Sequence, residues 1–456
     1  MATTEAIKSI KIWIYDLSPG ISYKNFFTYL YASLISIALF SAMGFLQPYV
    51  LNANLGIPRG QQGLVSGNLG VLSEIVTILL IKPAGSLSDR IGRVPVLTGG
   101  ILLLGLGYAF YPTADTLNDL YVSRAIWAVG VSGVATTLSA ITTDIPQNHC
   151  RGKLIGAGNV FNNIGILMVT LGLSQVPLYL MNNGTDARLA GQAAYWILAS
   201  FCLISTYIFY KGFDGPVLTK SLADKKEIKF LDLLTNGFSE AKNPRIMLAY
   251  IVSLEARADL ALKGTFISLW TVQSGMSLGL TPAQSLSKAG FLFGFMLAVG
   301  VITHFSWGFF FDRVNRVTAT AVSMFFCATG YMSMYFVTSP LEYINLPFFA
   351  LLSIGSATAI SVSIGLSGQE ATPQNRGSIM GMIGLFGAFG IMLTQFIGGR
   401  VFDSWGPSWP FVIVGMTQVF IMIGAILVRI YAPGGKEAKQ RLAKTIKGIK
   451  LWNIEI

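Results

Sequence analysis

Residues 85–94 read GSLSDRIGRV and residues 308–317 read GFFFDRVNRV. Each stretch follows one long apolar run and precedes another. A second pair behaves the same way: DIPQNHCRGKLIG at 144–156 and EATPQNRGSIMG at 370–381. The offset from Asp89 to Asp312 is 223 positions, and from Pro146 to Pro373 it is 227. Two unrelated motifs that recur in order at nearly one offset mark an internal duplication, so the chain is built as two halves of common design.

The apolar runs around these motifs set the fold class. The chain has 456 residues, of which 53% are hydrophobic and 12% charged; a soluble domain is about 25% charged. Runs of roughly 20 apolar residues, long enough to cross a bilayer, fall near 26–50, 63–84, 95–112, 119–143, 153–177, 193–211, 246–272, 287–310, 318–338, 346–368, 378–398 and 409–431. The polar segment from Gly212 to Asn243 divides these twelve spans six and six. The expected fold is an all-α integral membrane protein with twelve transmembrane helices in two pseudo-symmetric six-helix halves, 26–211 and 244–431. A cytoplasmic segment 1–25, a cytoplasmic linker 212–243 and a basic cytoplasmic tail 432–456 complete it. The first apolar run lacks a small-residue cleavage site and reads as a retained anchor.

A net charge of +11 raises the question of nucleic acid. Sorting the basic residues by span removes it. With the N-terminus inside, 25 lysines and arginines fall in inner segments and four, Arg59, Arg188, Lys288 and Arg400, fall in outer loops. That bias places both termini in the cytoplasm of a cell (inner or plasma) membrane and accounts for the basic balance without a nucleic-acid partner. Cys150, Cys202 and Cys327 form no disulfide framework and no metal spacing, and His149 and His304 are the only histidines. No metal and no cofactor is expected.

At the repeated loops the sequence resembles the major facilitator superfamily. Gly85-x-Leu87-x-Asp89-Arg90-x-Gly92-Arg93 matches that family's motif between helices 2 and 3. The degenerate copy keeps Gly308, Asp312, Arg313 and Arg316, with Asn315 where the glycine would stand. The resemblance runs over roughly 26–431 and implies a transporter whose halves rock about a central site. A glycine there lets the helix turn tightly against a neighbour, and the charges at the edge can pair between halves or cap helix ends. The resemblance implies that Asp89, Arg90 and Arg93 latch the cytoplasmic gate in the outward-facing state, with Asp144, Arg151, Glu370 and Arg376 as partners.

Two further segments test the resemblance. LYVSRAIWAVG at 120–130 is similar to the fourth-helix motif, in which proton-coupled members carry an arginine near the proton path. Arg124 fits that slot, but Trp127 and Ala128 replace the usual glutamine and glycine. Arg124 also lies near the outer end of its span, where snorkelling is the other reading. In the fifth span, GNVFNNIGILMVTLGLSQVP lacks the central proline of the drug/proton antiporters, which counts against multidrug antiport.

The seventh span holds the candidate site. Residues 254–264 read LEARADLALKG, with Glu255, Arg257, Asp259 and Lys263 where lipid is expected. At about 100° per residue, Glu255, Asp259 and Lys263 share one face and Arg257 points nearly opposite. Each charge at mid-membrane costs roughly 2.5–3.5 kcal/mol on insertion scales, so the four must be paired, neutralised or set against water. Asp259 and Lys263 can pair at i,i+4. Glu74, at similar depth in the second span, is a weaker partner because that helix sits to the side in this superfamily. The six residues Asp259, Glu255, Lys263, Arg257, Arg124 and Glu74 are the expected substrate and proton-coupling set. A buried acid can take up and release a proton as access alternates, and the cations suit an anionic solute.

The expected protein is therefore a monomeric secondary transporter of a small organic solute, coupled to protons, with a drug/proton antiporter as the rival within the class. A membrane enzyme is not expected, because no HExxH, GxSxG, phosphate loop or cysteine–histidine ligand spacing occurs. A non-transporting sensor would need a folded soluble domain, and the longest polar segment is the linker of about 30 residues. Leu442, Ile446 and Ile449 in the tail suit either an anionic lipid surface or solvent. Asn183-Gly184-Thr185 is a sequon and also a turn signal.

Overall fold

The structure, a computed structural model, describes residues 10–214, 230–372 and 375–432. Most of the linker, the basic tail and Pro373 lie outside the described residues, as does the side chain of Asp312. The first half contains α1 (Tyr23–Ala53), α2 (Arg59–Ile91), α3 (Arg93–Phe110), α4 (Leu117–Asp144), α5 and α6 (Ala187–Gly212). In α5, the helix Arg151–Leu167 passes through a π turn, Met168–Leu173, into Gln175–Asn182. The second half contains α7, α8 (Pro282–Arg313), α9 (Arg316–Ser333), α10 (Leu346–Glu370), α11 (Arg376–Ser404) and α12 (Trp409–Tyr431). In α7, Pro244–Leu262 meets a second π turn, Lys263–Ile267, and continues as Ser268–Ser277. A short helix, Phe230–Glu240, precedes it.

Eleven of these helices are long and apolar enough to cross a membrane. The twelfth, α7, is equally long and is set apart by its four charges. The twelve-helix expectation holds, and this is an integral membrane protein. Large apolar side chains such as Leu203, Phe305 and Phe420 stand exposed on outward helix faces, where acyl chains meet them.

Local chemistry explains where the helices begin. Ser22, Thr116 and Thr281 each accept the amide of the residue three positions on, and Asn25, Asp119 and Gln284 reach back to the cap backbone. These reciprocal boxes satisfy amide groups that a helix start leaves bare. Pro244 and Pro282 occupy the first helical positions, where a missing N–H costs nothing.

The repeated loops differ in a way the sequence marks. Gly92 joins α2 to α3 at φ 97° and ψ 160°, a region open essentially to glycine alone. Asn315 joins α8 to α9 at φ −56° and its side chain accepts the amide of Val317. The second turn needs no glycine, so a capping residue takes its place. Gly308 has open space where a Cβ would stand, so the close approach expected there does not occur. Gly85 comes nearer a neighbour, with Thr136 at 3.3 Å from such a Cβ.

An N-terminal hairpin, Lys11–Ile12 (β1) paired with Tyr15–Asp16 (β2), docks on the loop between α4 and α5. Leu17 bridges Pro146, the amide of Ser18 donates to the carbonyl of Ile145 at 2.8 Å, and that of Gln147 to the carbonyl of Asp16 at 3.0 Å. A hydrogen bond with His149 holds the Asp16 carboxyl below its ordinary range.

The two halves meet on the side away from this hairpin. A Cβ on Gly399 of α11 would lie 2.3 Å from the carbonyl oxygen of Gly63 of α2. Asp403 accepts the amides of Gly63 and Leu64 at 2.9 and 2.7 Å. Ser268 donates to the carbonyl of Phe45 at 2.6 Å, Gln273 to Gln62 at 3.0 Å, and Ser287 to Gln175 at 2.6 Å. The apolar core of the first half continues through this seam to Val272, Ala283, Leu286 and Ala289.

Candidate functional site

Asp259 lies near the middle of α7, 3% exposed, one turn before the π segment. The Tyr331 hydroxyl of α9 donates to its Oδ1, and the Ser356 hydroxyl of α10 donates to its Oδ2. Lys263 Nζ stands 3.0 Å from the same Oδ2 and also donates to Ser356. Three helices of one half thus supply three polar partners to one carboxylate. A charge so far from water is sustained only by such complete ligation.

Glu255 sits one turn earlier on the same face and is 6% exposed. Thr417 of α12 donates to its Oε1 at 2.7 Å. Its Oε2 is buried without a hydrogen-bond partner among the described residues. The helical spacing predicted that Glu255, Asp259 and Lys263 share a face, and they do. That face turns into the second half, toward α9, α10 and α12. The expectation that it lines the chamber between the halves is corrected for the two acids: their partners all belong to their own half.

Arg257 occupies the opposite side of α7, exposed, with its side chain along Gly387 of α11. Glu74 of α2 is half-buried and within electrostatic reach of both Arg257 and Arg124. Glu74, ranked as the weaker partner from sequence, is an acid within electrostatic reach of a cation in each half.

Arg124 is 7% exposed and does not snorkel. Its Nε donates to Ser73 at 2.6 Å, and its guanidinium lies 4.6 Å from the Trp127 ring centroid. Its Nη1 is buried without a partner among the described residues. Tyr111 and Tyr195 stack nearby with centroids 5.5 Å apart, and the Tyr111 hydroxyl donates to Gln47 at 3.0 Å. The tryptophan that departs from the fourth-helix motif is the face on which this cation rests.

Two ion-paired clusters among the described gate residues each lie within one half. Arg93 Nε lies 2.7 Å from Asp144 and its Nη1 3.0 Å from Asp89. Arg245, not singled out from sequence, stands 2.9 Å from Glu370. Arg151 donates to the Thr143 carbonyl at 3.3 Å, and Arg316 lies 3.9 Å over the Phe311 ring. Arg90, Arg313 and Arg376 are exposed. A hollow of about 470 Å³ lined by Asn315, Arg316 and Gln369 opens beside the second loop copy.

Sequence reasoning also missed Ser73, Tyr331, Ser356 and Thr417. Each is a common residue in an apolar helix with no local signal; only tertiary packing brings it to an ion. His304 is exposed on α8 within electrostatic reach of Lys263.

Two six-helix halves that meet around charges held at mid-span are the architecture of a membrane transporter. A profile of the Major Facilitator Superfamily matches residues 28–346, and the chain belongs to that family. It is 27% identical to magnetosome protein MamH of Paramagnetospirillum magneticum over 390 residues, 84% of this chain and 87% of that protein. It is 26% identical to magnetosome protein MamZ of Magnetospirillum gryphiswaldense over 85% of this chain, but spans only 58% of that protein. Among solved structures, that of the nucleoside transporter NupG superposes with a TM-score of 0.68 at 14% identity, covering 89% of this chain and 99% of the other. That likeness is one of fold.

Proposed function

We propose that this protein carries a small organic solute, favouring an anionic one, across a cell membrane, and couples the movement to protons through Asp259 and Glu255. The observation that carries this reading is the Asp259 carboxylate, gripped by Tyr331, Ser356 and Lys263 where α7 loosens into a π turn. Such turns recur at functional sites because their backbone shifts readily. A proton on Asp259 weakens the Lys263 pair and frees that ammonium, 18% exposed, for an anionic group. Arg257, Glu74 and Arg124 face one another across the halves and read the substrate's charge. The hairpin side is cytoplasmic, as the basic residues require. When the halves close there, Asp89, Arg90, Arg93, Asp144, Arg151, Asp312, Arg313, Arg316, Glu370 and Arg376 exchange partners across the gap and latch it. The protein works as a monomer.

The test starts from purified protein screened for solutes that raise its melting temperature. A hit is then followed into vesicles with and without an imposed pH gradient. Asp259→Asn and Glu255→Gln should cut gradient-driven accumulation by about tenfold or more, some 1.4 kcal/mol, while leaving exchange of solute for solute. Gradient-driven uptake unchanged in both variants removes the coupling role. Hits confined to lipophilic cations overturn the anionic preference in favour of a drug antiporter.

A further inference from the structure

A second cluster of ligand-bearing side chains lies outside the transport path, where the N-terminal hairpin meets the loop before α5. Asp16 at the end of the hairpin, His149 in the single turn Asn148–Cys150, and Cys150 at the start of α5 come together there. His149 Nε2 lies 2.8 Å and Cys150 Sγ 3.5 Å from Asp16 Oδ2. One ligand atom from each of the three residues falls within 4.8 Å of the other two. A tetrahedral zinc ion bound by oxygen, nitrogen and sulfur sets its ligand atoms roughly 3.3–3.6 Å apart. The cluster reaches that spacing when its separations, all within 4.8 Å, change by no more than about 1.2 Å.

We propose that Asp16, His149 and Cys150 form a binding site for a divalent transition cation with the ligand preference of zinc. The donor set argues for this class. Thiolate and imidazole favour zinc and its first-row neighbours over magnesium and calcium, which take oxygen ligands. The sulfur is held in place: it is 1% exposed, it receives the Asp16 amide at 3.4 Å, and it stands at the N-terminal end of α5. The imidazole is 61% exposed, which leaves an entry path and room for a water as fourth ligand. The backbone is held from both sides, by the Ser18–Ile145 and Gln147–Asp16 bonds, so little ordering is left for the metal to impose. Adjacent His149 and Cys150 carry no spacing signal, because the third ligand comes from more than 130 positions away. Bound metal pins the N-terminal hairpin to the loop that follows Asp144, the partner of Arg93.

Cobalt(II) titrated into chelator-treated, full-length protein in detergent tests the site. Saturation at about one ion per chain, with a thiolate-to-cobalt charge-transfer band that zinc displaces and magnesium does not, is the expected result. Cys150→Ser should abolish the band, and His149→Ala and Asp16→Asn should each weaken binding about tenfold or more. Zinc should raise the melting temperature of the parent protein and not of Cys150→Ser, whose gel-filtration profile reports that it is folded. Absence of the band in the parent protein, or its persistence in Cys150→Ser, overturns the proposal; in either case the Asp16–His149 contact is only a hydrogen bond that seats the hairpin. Neither result bears on Asp259 and proton coupling, which vesicle uptake reads separately.

Discussion

Asp259 in the second half and Arg124 in the first are both buried within their spans, and the two are matched very differently. In the second half, Asp259 has a donor on each carboxylate oxygen and a cation beside it, all from its own bundle. In the first half, Arg124 has one serine hydroxyl, an indole face and a bare Nη1. Glu74, an acid within its electrostatic reach, is also within reach of Arg257 of the other half. A duplicated scaffold has thus acquired a sealed anion on one side and an under-coordinated cation on the other. On the function proposed above, a proton entering or leaving is what changes the matched cluster, whereas the cation still has hydrogen-bonding capacity for something that arrives.

The difference can be tested by unpairing each centre. Asp259→Ala leaves Lys263 buried beside Tyr331 and Ser356 without its anion, and should cost about 3–5 kcal/mol. Thermal unfolding would read the loss, and Asp259→Ala combined with Lys263→Ala should recover part of it. If the double variant is no more stable than Asp259→Ala alone, the two residues are not a matched pair. The loop copies supply an intermediate contrast. Gly92→Ala forces a Cβ into a region at φ 97° and should cost about 1–3 kcal/mol. Arg124→Gln removes a charge that is only partly compensated, so stability should change by less than about 1 kcal/mol while affinity for an anionic solute falls. A large stability loss with unchanged affinity would make Arg124 a packing residue. The smallest effect belongs to Asn315→Gly, a few tenths of a kcal/mol, because glycine caps a helix nearly as well.

Much of the fold was legible in the sequence. Apolar runs of membrane length gave the helices, the repeated Asp-Arg loops gave the two halves, and the spacing of Glu255, Asp259 and Lys263 gave their shared face. What that face meets was not legible. Helical periodicity states which residues lie together on one cylinder, but the rotation of that cylinder is set by packing against its neighbours. The acids therefore turned toward Tyr331, Ser356 and Thr417 and not into the gap between halves, and Arg257 took the inter-half position. Gly92 and Asn315 illustrate the opposite case. A backbone that needs positive φ writes a glycine into the sequence, and its disappearance from the second copy was a local structural statement readable in advance.

The continuous apolar seam from the first half into Val272, Ala283, Leu286 and Ala289 has a mechanical consequence. To expose the site on that face, the protein must wet a strip of hydrocarbon, at roughly 25 cal/mol for each square ångström uncovered. Uncovering Val272, Ala283, Leu286 and Ala289 is a cost that any opening on that face must offset.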